Sequence, residues 1–191
     1  MSRRHMFLGV IAASSLLVSA TGVAAQSPAA STGMMTGPFG PACSALPAEG
    51  LGSGTEMAKL PVASAAATNP LLSTLVTAVT AAGLVDTLNT TQGITVFAPV
   101  NDAFAAMDQA TLTAALADPT GLLTQVLTYH VVGETITPEN LAGAHKTLQG
   151  ADLTIAGSGD AYTVNGTSNI ICGNIQTANA TVYLLDGVLL P

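Results

Sequence analysis

The stretch T-V-F-A-P-V-N-D-A-F, Thr95–Phe104, changes its conformational preference at its centre. The β-branched and aromatic run from Ile94 to Ala98 predicts a short strand. Pro99 ends that strand, because proline has no N–H to donate to a sheet. Asn101 or Asp102 is then predicted to cap a helix. A metal or acid role for these two side chains is the alternative, but a strand-to-helix turn favours capping.

A second stretch, L-T-Y-H-V-V at Leu127–Val132, places Tyr129 and His130 at the end of an apolar helical face. The chain has three histidines, and His5 lies in a segment predicted to be removed. A buried histidine at such a junction can bond a backbone group left open there, so we interpret His130 as structural. A direct binding role and a catalytic role are the two alternatives.

Outward from these stretches, helical signals precede strand signals along the chain. Asn69-Pro70 combines an N-cap with proline at the first helical position, and Gly83 is placed to end that helix. Alternating apolar residues with turn residues between them predict later strands around 153–155, 162–164, 170–175 and 182–190. Helices followed by strands predict an α+β domain, with helices covering part of a mainly antiparallel sheet.

The first 25 residues are typical of an export signal. Arg3 and Arg4 precede the uncharged apolar run Met6–Val18, and Val23-Ala24-Ala25 supplies the small residues of a cleavage site after Ala25. An uncleaved membrane helix is the alternative. General secretory and twin-arginine export both remain open. We expect no transmembrane anchor in the mature chain.

Two further segments follow the predicted signal. Residues 26–56 are rich in Ser, Ala, Gly, Pro and Thr without helical or strand periodicity, which predicts a flexible linker. Residues 57–191 are predicted to form one folded domain, since a chain of that length can bury a sizeable core.

The charge balance excludes one class of partner. All eleven acids lie beyond residue 25, but only Lys59 and Lys146 of the bases do, so the mature chain carries a net charge of −9. Such a surface repels phosphate backbones, and nucleic acid is not an expected partner. Because only 8% of the chain is charged, its surface must consist largely of uncharged polar residues.

Cys43 and Cys172 are the two cysteines, and both follow the predicted signal. In an oxidising compartment such a pair is expected to form a disulfide. Two free thiols or a thiol nucleophile are the alternatives.

The sequence contains none of the usual catalytic motifs. It has no G-x-S-x-G elbow, no Ser-x-x-Lys, no His-Glu-x-x-His and no nucleotide fingerprint. Two mature histidines and a cysteine pair expected to form a disulfide are too few for a typical metal site. We therefore expect no enzyme activity, no metal and no cofactor. Asn89, Asn165 and Asn179 stand in Asn-x-Ser/Thr sequons and are interpreted as turn residues.

Three ordered segments together resemble the fasciclin (FAS1) domain family. They are Thr95–Phe104, Leu127–Val132 and the terminal T-V-Y-L-L-D-G-V-L-L-P, Thr181–Pro191. The mature chain is also similar to the secreted single-domain fasciclin antigens of mycobacteria. The resemblance implies a β-wedge or sandwich of about seven strands with several helices packed around it.

The same resemblance implies a function. It implies a monomeric, non-enzymatic adhesion or protein-interaction module that is secreted or extracellular, with association with the cell wall as one form of that location. Its partner would be an extracellular protein, a glycan or a cell-envelope component. In animal members the Tyr-His region is linked to binding, which points to Tyr129 and His130. The apolar composition suggests a second hypothesis, a carrier of an apolar small molecule or lipid held between the helices and the sheet.

Overall fold

The computed structural model describes residues 37–118 and 120–191. The predicted signal segment and its cleavage after Ala25 lie outside these residues. The α-helices of the described part are α1 Gly54–Met57, α2 Val62–Thr68, α3 Ser73–Ala81, α4 Val85–Thr90, α5 Asn101–Ala106, α6 Gln109–Ala117 and α7 Leu122–Tyr129. Its strands are β1 Ile94–Pro99, β2 Val131–Val132, β3 Gly143–Lys146, β4 Asp152–Ser158, β5 Ala161–Val164, β6 Ser168–Gln176 and β7 Ala180–Leu185.

The described strands form one mixed sheet in the order β2-β1-β7-β6-β5-β4-β3. Every neighbouring pair is antiparallel except β1 and β7, which run parallel. The two ends of the sheet approach each other: Val132 bridges Thr147, and the N–H of Leu148 donates to the carbonyl of Val131 at 2.7 Å. The sheet is therefore nearly closed, and the predicted α+β class with about seven strands is confirmed.

The neighbouring strands β1 and β7 are buried on both faces. Because side chains alternate along a strand, Val96 and Val182 enter the core beneath the helices. Phe97 and Tyr183 enter a second core inside the curved sheet, which is called the inner core below. The rings of Phe97 and Tyr183 stack there with centroids 5.5 Å apart. A continuous apolar run in each strand is what burial on both faces requires.

The helix predicted from Asn69-Pro70 is present in two parts. Asn69 accepts a hydrogen bond from the N–H of Leu71 at 3.0 Å, and a 3-10 turn over Pro70–Leu72 leads into α3. Gly83, at φ 68°, allows the chain to leave α3 through the left-handed region.

The last strand ends earlier than predicted, at Leu185 rather than Leu190. The residues after it, 186–191, are called the closing segment below. Asp186 begins this segment: its carboxylate accepts from the N–H of Asn169 at 2.6 Å and from the side-chain amide of Asn169 at 2.8 Å. These bonds fix the point at which the chain leaves the sheet.

The predicted linker contains residues that pack against the sheet. Phe39 is buried in the inner core, where its ring lies edge-on to Tyr162, and its backbone pairs with Gly173 of β6. A Cβ at Gly173 would lie 2.6 Å from the Phe39 ring, so only glycine allows this approach. Cys43 and Cys172 form a disulfide across a sequence separation of 129 residues. Residues before the predicted domain start at 57, among them Phe39 and Cys43, therefore contact the sheet. A single buried aromatic residue has no periodicity, so the sequence pattern did not indicate this contact.

Candidate functional site: an apolar groove beside His130

His130 follows α7 directly and is 2% exposed. Its Nδ1 lies 2.7 Å from the carbonyl of Val126, and the N–H of Leu189 donates to its Nε2 at 2.9 Å. A carbonyl can only accept and an N–H can only donate, so the ring is the neutral tautomer with its proton on Nδ1. Burial lowers the pKa of His130 to about 4.

These two bonds define what His130 does in the fold. It continues the hydrogen bonding of α7 on one side and holds the closing segment on the other. Both ring nitrogens are occupied by backbone groups, so neither is left to transfer a proton or bind a ligand.

Tyr129 lies next to His130 in the chain but belongs to the other side of the structure. Its ring is buried in the inner core, and its hydroxyl accepts from the side-chain amide of Asn165 at 2.7 Å. Asn165, at φ 52°, lies in the turn between β5 and β6 and also bonds Thr154 through both its backbone and its side chain. Tyr129 and His130 therefore do not form one surface, although they are neighbours in the chain.

The strand-to-helix joint is present, but its capping differs from the prediction. Helix α5 begins after Val100, and no side chain caps it. Asn101 instead serves the neighbouring helix: its carbonyl oxygen accepts from the N–H of Thr74 at 3.0 Å, and its amide donates to the carbonyl of Pro70 at 2.9 Å. The first N–H groups of α3 have no partner within that helix, and Asn101 supplies one. Asp102 lies in the first turn of α5.

An apolar groove is lined by residues of both stretches singled out from the sequence, Thr95–Phe104 and Leu127–Val132. Helices α5, α6 and α7 form its walls, Val188 and Leu190 of the closing segment form one side, and Pro99 and His130 both border it. Its cavity volume is only about 30 Å³, and the side-chain atoms that reach this space are apolar. Of its lining residues, His130 has both ring nitrogens bonded and Thr111 contacts the capping carboxylate of Asp108. The groove thus offers contact area but few free hydrogen-bonding groups.

Asn179, interpreted from sequence as a turn residue, has a larger structural role. It is buried, its oxygen accepts from the N–H of Val62 at 2.8 Å, and its amide donates to the carbonyls of Leu88 and Thr91 at 2.7 and 2.6 Å. One side chain thereby joins α2, the end of α4 and the start of β7. Its position in a polar turn was the only local signal, and that signal does not indicate burial.

The described residues contain neither a metal-binding cluster nor a single helix that could span a membrane. Residues 37–118 and 120–191 contain no group of three or more His, Cys, Asp and Glu side chains that could hold a metal ion. In the same residues no single helix is long and apolar enough to cross a membrane. Only the pair Val62–Thr68 and Pro70–Ala81 has together the length and apolar composition of a span among these residues, and a bend of 106° separates its two helices.

Comparison with known families decides what this fold is. The family profile described as "Fasciclin domain" matches residues 70–191, which include both signature stretches, the groove and the closing segment.

The chain belongs to the fasciclin domain family.

Two mycobacterial proteins illustrate the relationship. The chain is similar to the cell surface glycolipoprotein MPT83 of Mycobacterium tuberculosis, with 47% identity over 147 residues that cover 74% of this chain and 66% of MPT83. It is also similar to the immunogenic protein MPB70 of Mycobacterium bovis, with 43% identity over 172 residues that cover 87% of this chain and 88% of MPB70. The resemblance to mycobacterial fasciclin antigens is confirmed.

A solved structure shows the same fold. It is the fasciclin domain pair from the insect cell adhesion molecule fasciclin I, which matches with a TM-score of 0.59 and 16% identity over 70% of this chain and 52% of that one. At this identity the likeness concerns the fold alone. In the fasciclin domain described here, Pro99 and His130 contribute to one groove, whereas Tyr129 serves the inner core.

Proposed function

We propose that this fasciclin domain is a non-enzymatic interaction module of the cell surface or extracellular space. The observation that carries the proposal is the family match, together with relatives named as a cell surface glycolipoprotein and an immunogenic protein. The occupied ring of His130 supports a non-enzymatic role, because the titratable group nearest the groove is committed to the backbone. The partner is an extracellular protein, a glycan or a cell-envelope component.

The contact surface that we favour surrounds the groove. Leu116 of α6 and Leu190 of the closing segment are 46% and 51% exposed, and Leu190 also lines the groove. Lys59 and Lys146 are the only bases in the described residues, and neither lines the groove. Contact through this surface would rest on apolar area and uncharged polar groups rather than on ion pairs.

Binding to extracellular-matrix and cell-envelope fractions tests the proposal. We expect saturable binding that persists at about 0.5 M salt, where charge interactions are screened beyond a few ångströms. The double variant Leu116→Ser, Leu190→Ser should weaken binding, whereas the matched control Leu51→Ser, Leu148→Ser, also at exposed leucines, should not. Binding that vanishes in moderate salt, or that the control weakens equally, would contradict the proposal.

A second candidate function is the carriage of an apolar small molecule. The specific observation in its favour is the apolar groove between the helices and the closing segment. Its cavity volume of about 30 Å³ lies far below the range of about 300–1,000 Å³ typical of small-molecule sites, so the helices would have to move apart to admit a ligand. Native mass spectrometry of the protein, purified without detergent, would reveal a co-purifying ligand.

A further inference from the structure

We propose that residues 37–46, called the strap below, exchange between two copies of this chain, so that each strap enters the slot over β6 of the other copy and Cys43 bonds to Cys172 between the copies. This inference is independent of the groove and goes beyond the proposed function. Three features of the described residues carry it: the fit of the strap to its slot, the unequal burial of the two cysteines and the exposed connector behind the strap.

The slot over β6 fits the strap through both backbone and side chain. The N–H of Phe39 donates to the carbonyl of Gly173 at 3.1 Å, and the N–H of Gly173 donates to the carbonyl of Phe39 at 2.7 Å. The Phe39 ring lies edge-on to Tyr183 of the inner core, with centroids 6.2 Å apart. A Cβ at Gly40 would lie 2.5 Å from the carbonyl oxygen of Ile171, so only glycine allows this approach. Each contact joins the strap to β6 or β7, and a strap from a second copy would make the same contacts.

The disulfide is open to attack mainly at one of its two sulfurs. Cys172 is fully buried in β6, whereas Cys43 in the strap is half-buried. A low-molecular-weight thiolate therefore attacks Sγ of Cys43 in preference to Sγ of Cys172. The attack forms a mixed disulfide on Cys43, breaks the bond between the two cysteines and leaves the electron pair on Cys172 as a thiolate. The strap is then no longer covalently joined to β6.

The Cys172 thiolate completes the exchange. When the strap of a second copy occupies the slot, this thiolate attacks Sγ of Cys43 in that strap, forms the intermolecular disulfide and releases the small thiolate. One such event on each copy converts two intramolecular disulfides into two intermolecular ones. Because there is no net oxidation or reduction, the small thiol acts only as a catalyst.

The connector between the strap and α1, residues 47–51, allows the strap to reach a second copy. Residues 48–51 are exposed, and Leu51 is 73% exposed. Gly50, at φ 80°, has no atom within 4 Å of a Cβ placed on it, so the backbone can turn there without a clash. Five extended residues span up to about 17 Å. A short tether gives the closed strap an effective concentration in the millimolar range, so exchange competes with closure where copies are crowded to that concentration.

The first experiment follows exchange in the unmodified full chain. Equal amounts of ¹⁴N-labelled and ¹⁵N-labelled protein are incubated with a trace of reduced glutathione at pH 8, and free thiols are then alkylated. At about 1 mM protein we expect a disulfide-linked dimer in non-reducing electrophoresis, with at least about tenfold less at 0.01 mM. In that dimer about half of the peptide pairs that join Cys43 to Cys172 should combine a light with a heavy chain, because copies pair at random.

The second experiment tests whether the slot recognises the Phe39 ring. The full-chain variant Phe39→Ala, Cys43→Ala has no ring in the slot and a free Cys172. It is incubated in a glutathione redox buffer with a peptide of residues 37–46. We expect this peptide to form a disulfide with Cys172 at least about tenfold more than the matched peptide in which Phe39 is alanine, since a buried aromatic ring contributes well over 1.4 kcal/mol.

The outcomes decide the inference. It would be overturned if no dimer formed at the higher protein concentration, or if the disulfides of the dimer joined Cys43 to Cys43. Equal capture of the two peptides by a folded variant would show that the slot does not select the strap, and would also overturn it. If the double variant does not fold, the isotope experiment still decides, because it uses the unmodified chain.

Discussion

At the scale of single residues, the most informative group is a histidine that has no free nitrogen. His130 accepts from the N–H of Leu189 and donates to the carbonyl of Val126, so its neutral form is part of the fold. Protonation would place a second N–H opposite the N–H of Leu189, inside a buried region that cannot solvate a charge. We therefore expect the bond between His130 and the closing segment to depend on pH.

We predict that this dependence is measurable. The pKa of His130 is lowered from 6.5 in the unfolded chain to about 4 in the fold, so the unfolded state binds more protons between these values. Its contribution to stability is complete above about pH 6.5 and is lost as the pH falls towards about 4. A shift of this size corresponds to at most about 3 kcal/mol.

Urea unfolding of the full chain between pH 4 and pH 7.5 checks the prediction. His130→Gln should have a lower free energy of unfolding than the unmodified chain at pH 7.5. The change in that free energy between pH 4 and pH 7.5 should also be much smaller in the variant. Leu190→Ala, at an exposed position of the closing segment, is the control, because it removes no titratable group, and it should keep the slope. Equal slopes for the unmodified chain and His130→Gln would contradict the prediction, and an NMR titration of the His130 ring would decide the case if that variant does not fold.

At the scale of elements, the neighbouring helices α6 and α7 differ in how many of their residues are buried. Helix α6 carries a proper N-cap, since the carboxylate of Asp108 accepts from the N–H of Thr111 at 3.1 Å. Helix α7 is also capped, because the carboxylate of Asp118 accepts from the N–H groups of Gly121 and Leu122, but it buries four residues where α6 buries one. Capping contributes on the order of 1 kcal/mol, whereas a buried leucine contributes about 2 kcal/mol, so packing decides which helix is more stable.

We therefore expect α6 to open by local unfolding more readily than α7. After correction for intrinsic rates, backbone amides of α6 should exchange with deuterium at least about tenfold faster than those of α7, which corresponds to a difference of about 1.4 kcal/mol in opening free energy. Hydrogen exchange read by mass spectrometry at pH 7 would measure this. Equal protection of the two helices would show that α6 is not a separate mobile element.

At the scale of the whole molecule, the fold is completed by residues distant in the chain. The sheet closes through Val132 and Thr147, and β1 pairs with β7 across most of the domain. The segment around Phe39 completes the inner core and is held by the disulfide between Cys43 and Cys172. Removing that disulfide should therefore affect both stability and the order of this segment.

We predict that the variant Cys43→Ala, Cys172→Ala loses about 3–4 kcal/mol of unfolding free energy, somewhat less than the chain-entropy value for so long a loop. Release of the segment should also make the backbone at Phe39 accessible to thermolysin. Ser44→Ala, an exposed change in the same turn, is the control and should alter neither property. An unchanged urea midpoint, with Phe39 still protected, would mean that the ring anchors the segment without the disulfide.

The sequence alone determined the features that depend on neighbouring residues. The strand-to-helix joint at Pro99, the start of a helix at Asn69-Pro70 and the apolar face of α7 follow from local sterics and periodicity. The pairing of Cys43 with Cys172 followed because the chain has only two cysteines. The resemblance in three ordered segments implied the fasciclin fold, which the family match bears out.

Only the tertiary structure decided the features that depend on contacts between distant residues. The parallel pairing of β1 with β7, the capping of α3 by Asn101 and the bonds of Asn179 to Val62 and Leu88 join residues 27 to 117 positions apart. No local pattern specifies such partners, because a polar side chain in a turn has the same sequence neighbours whether it faces water or a buried amide. The groove is of the same kind: its walls come from three helices and the closing segment, so it exists only once they are packed together.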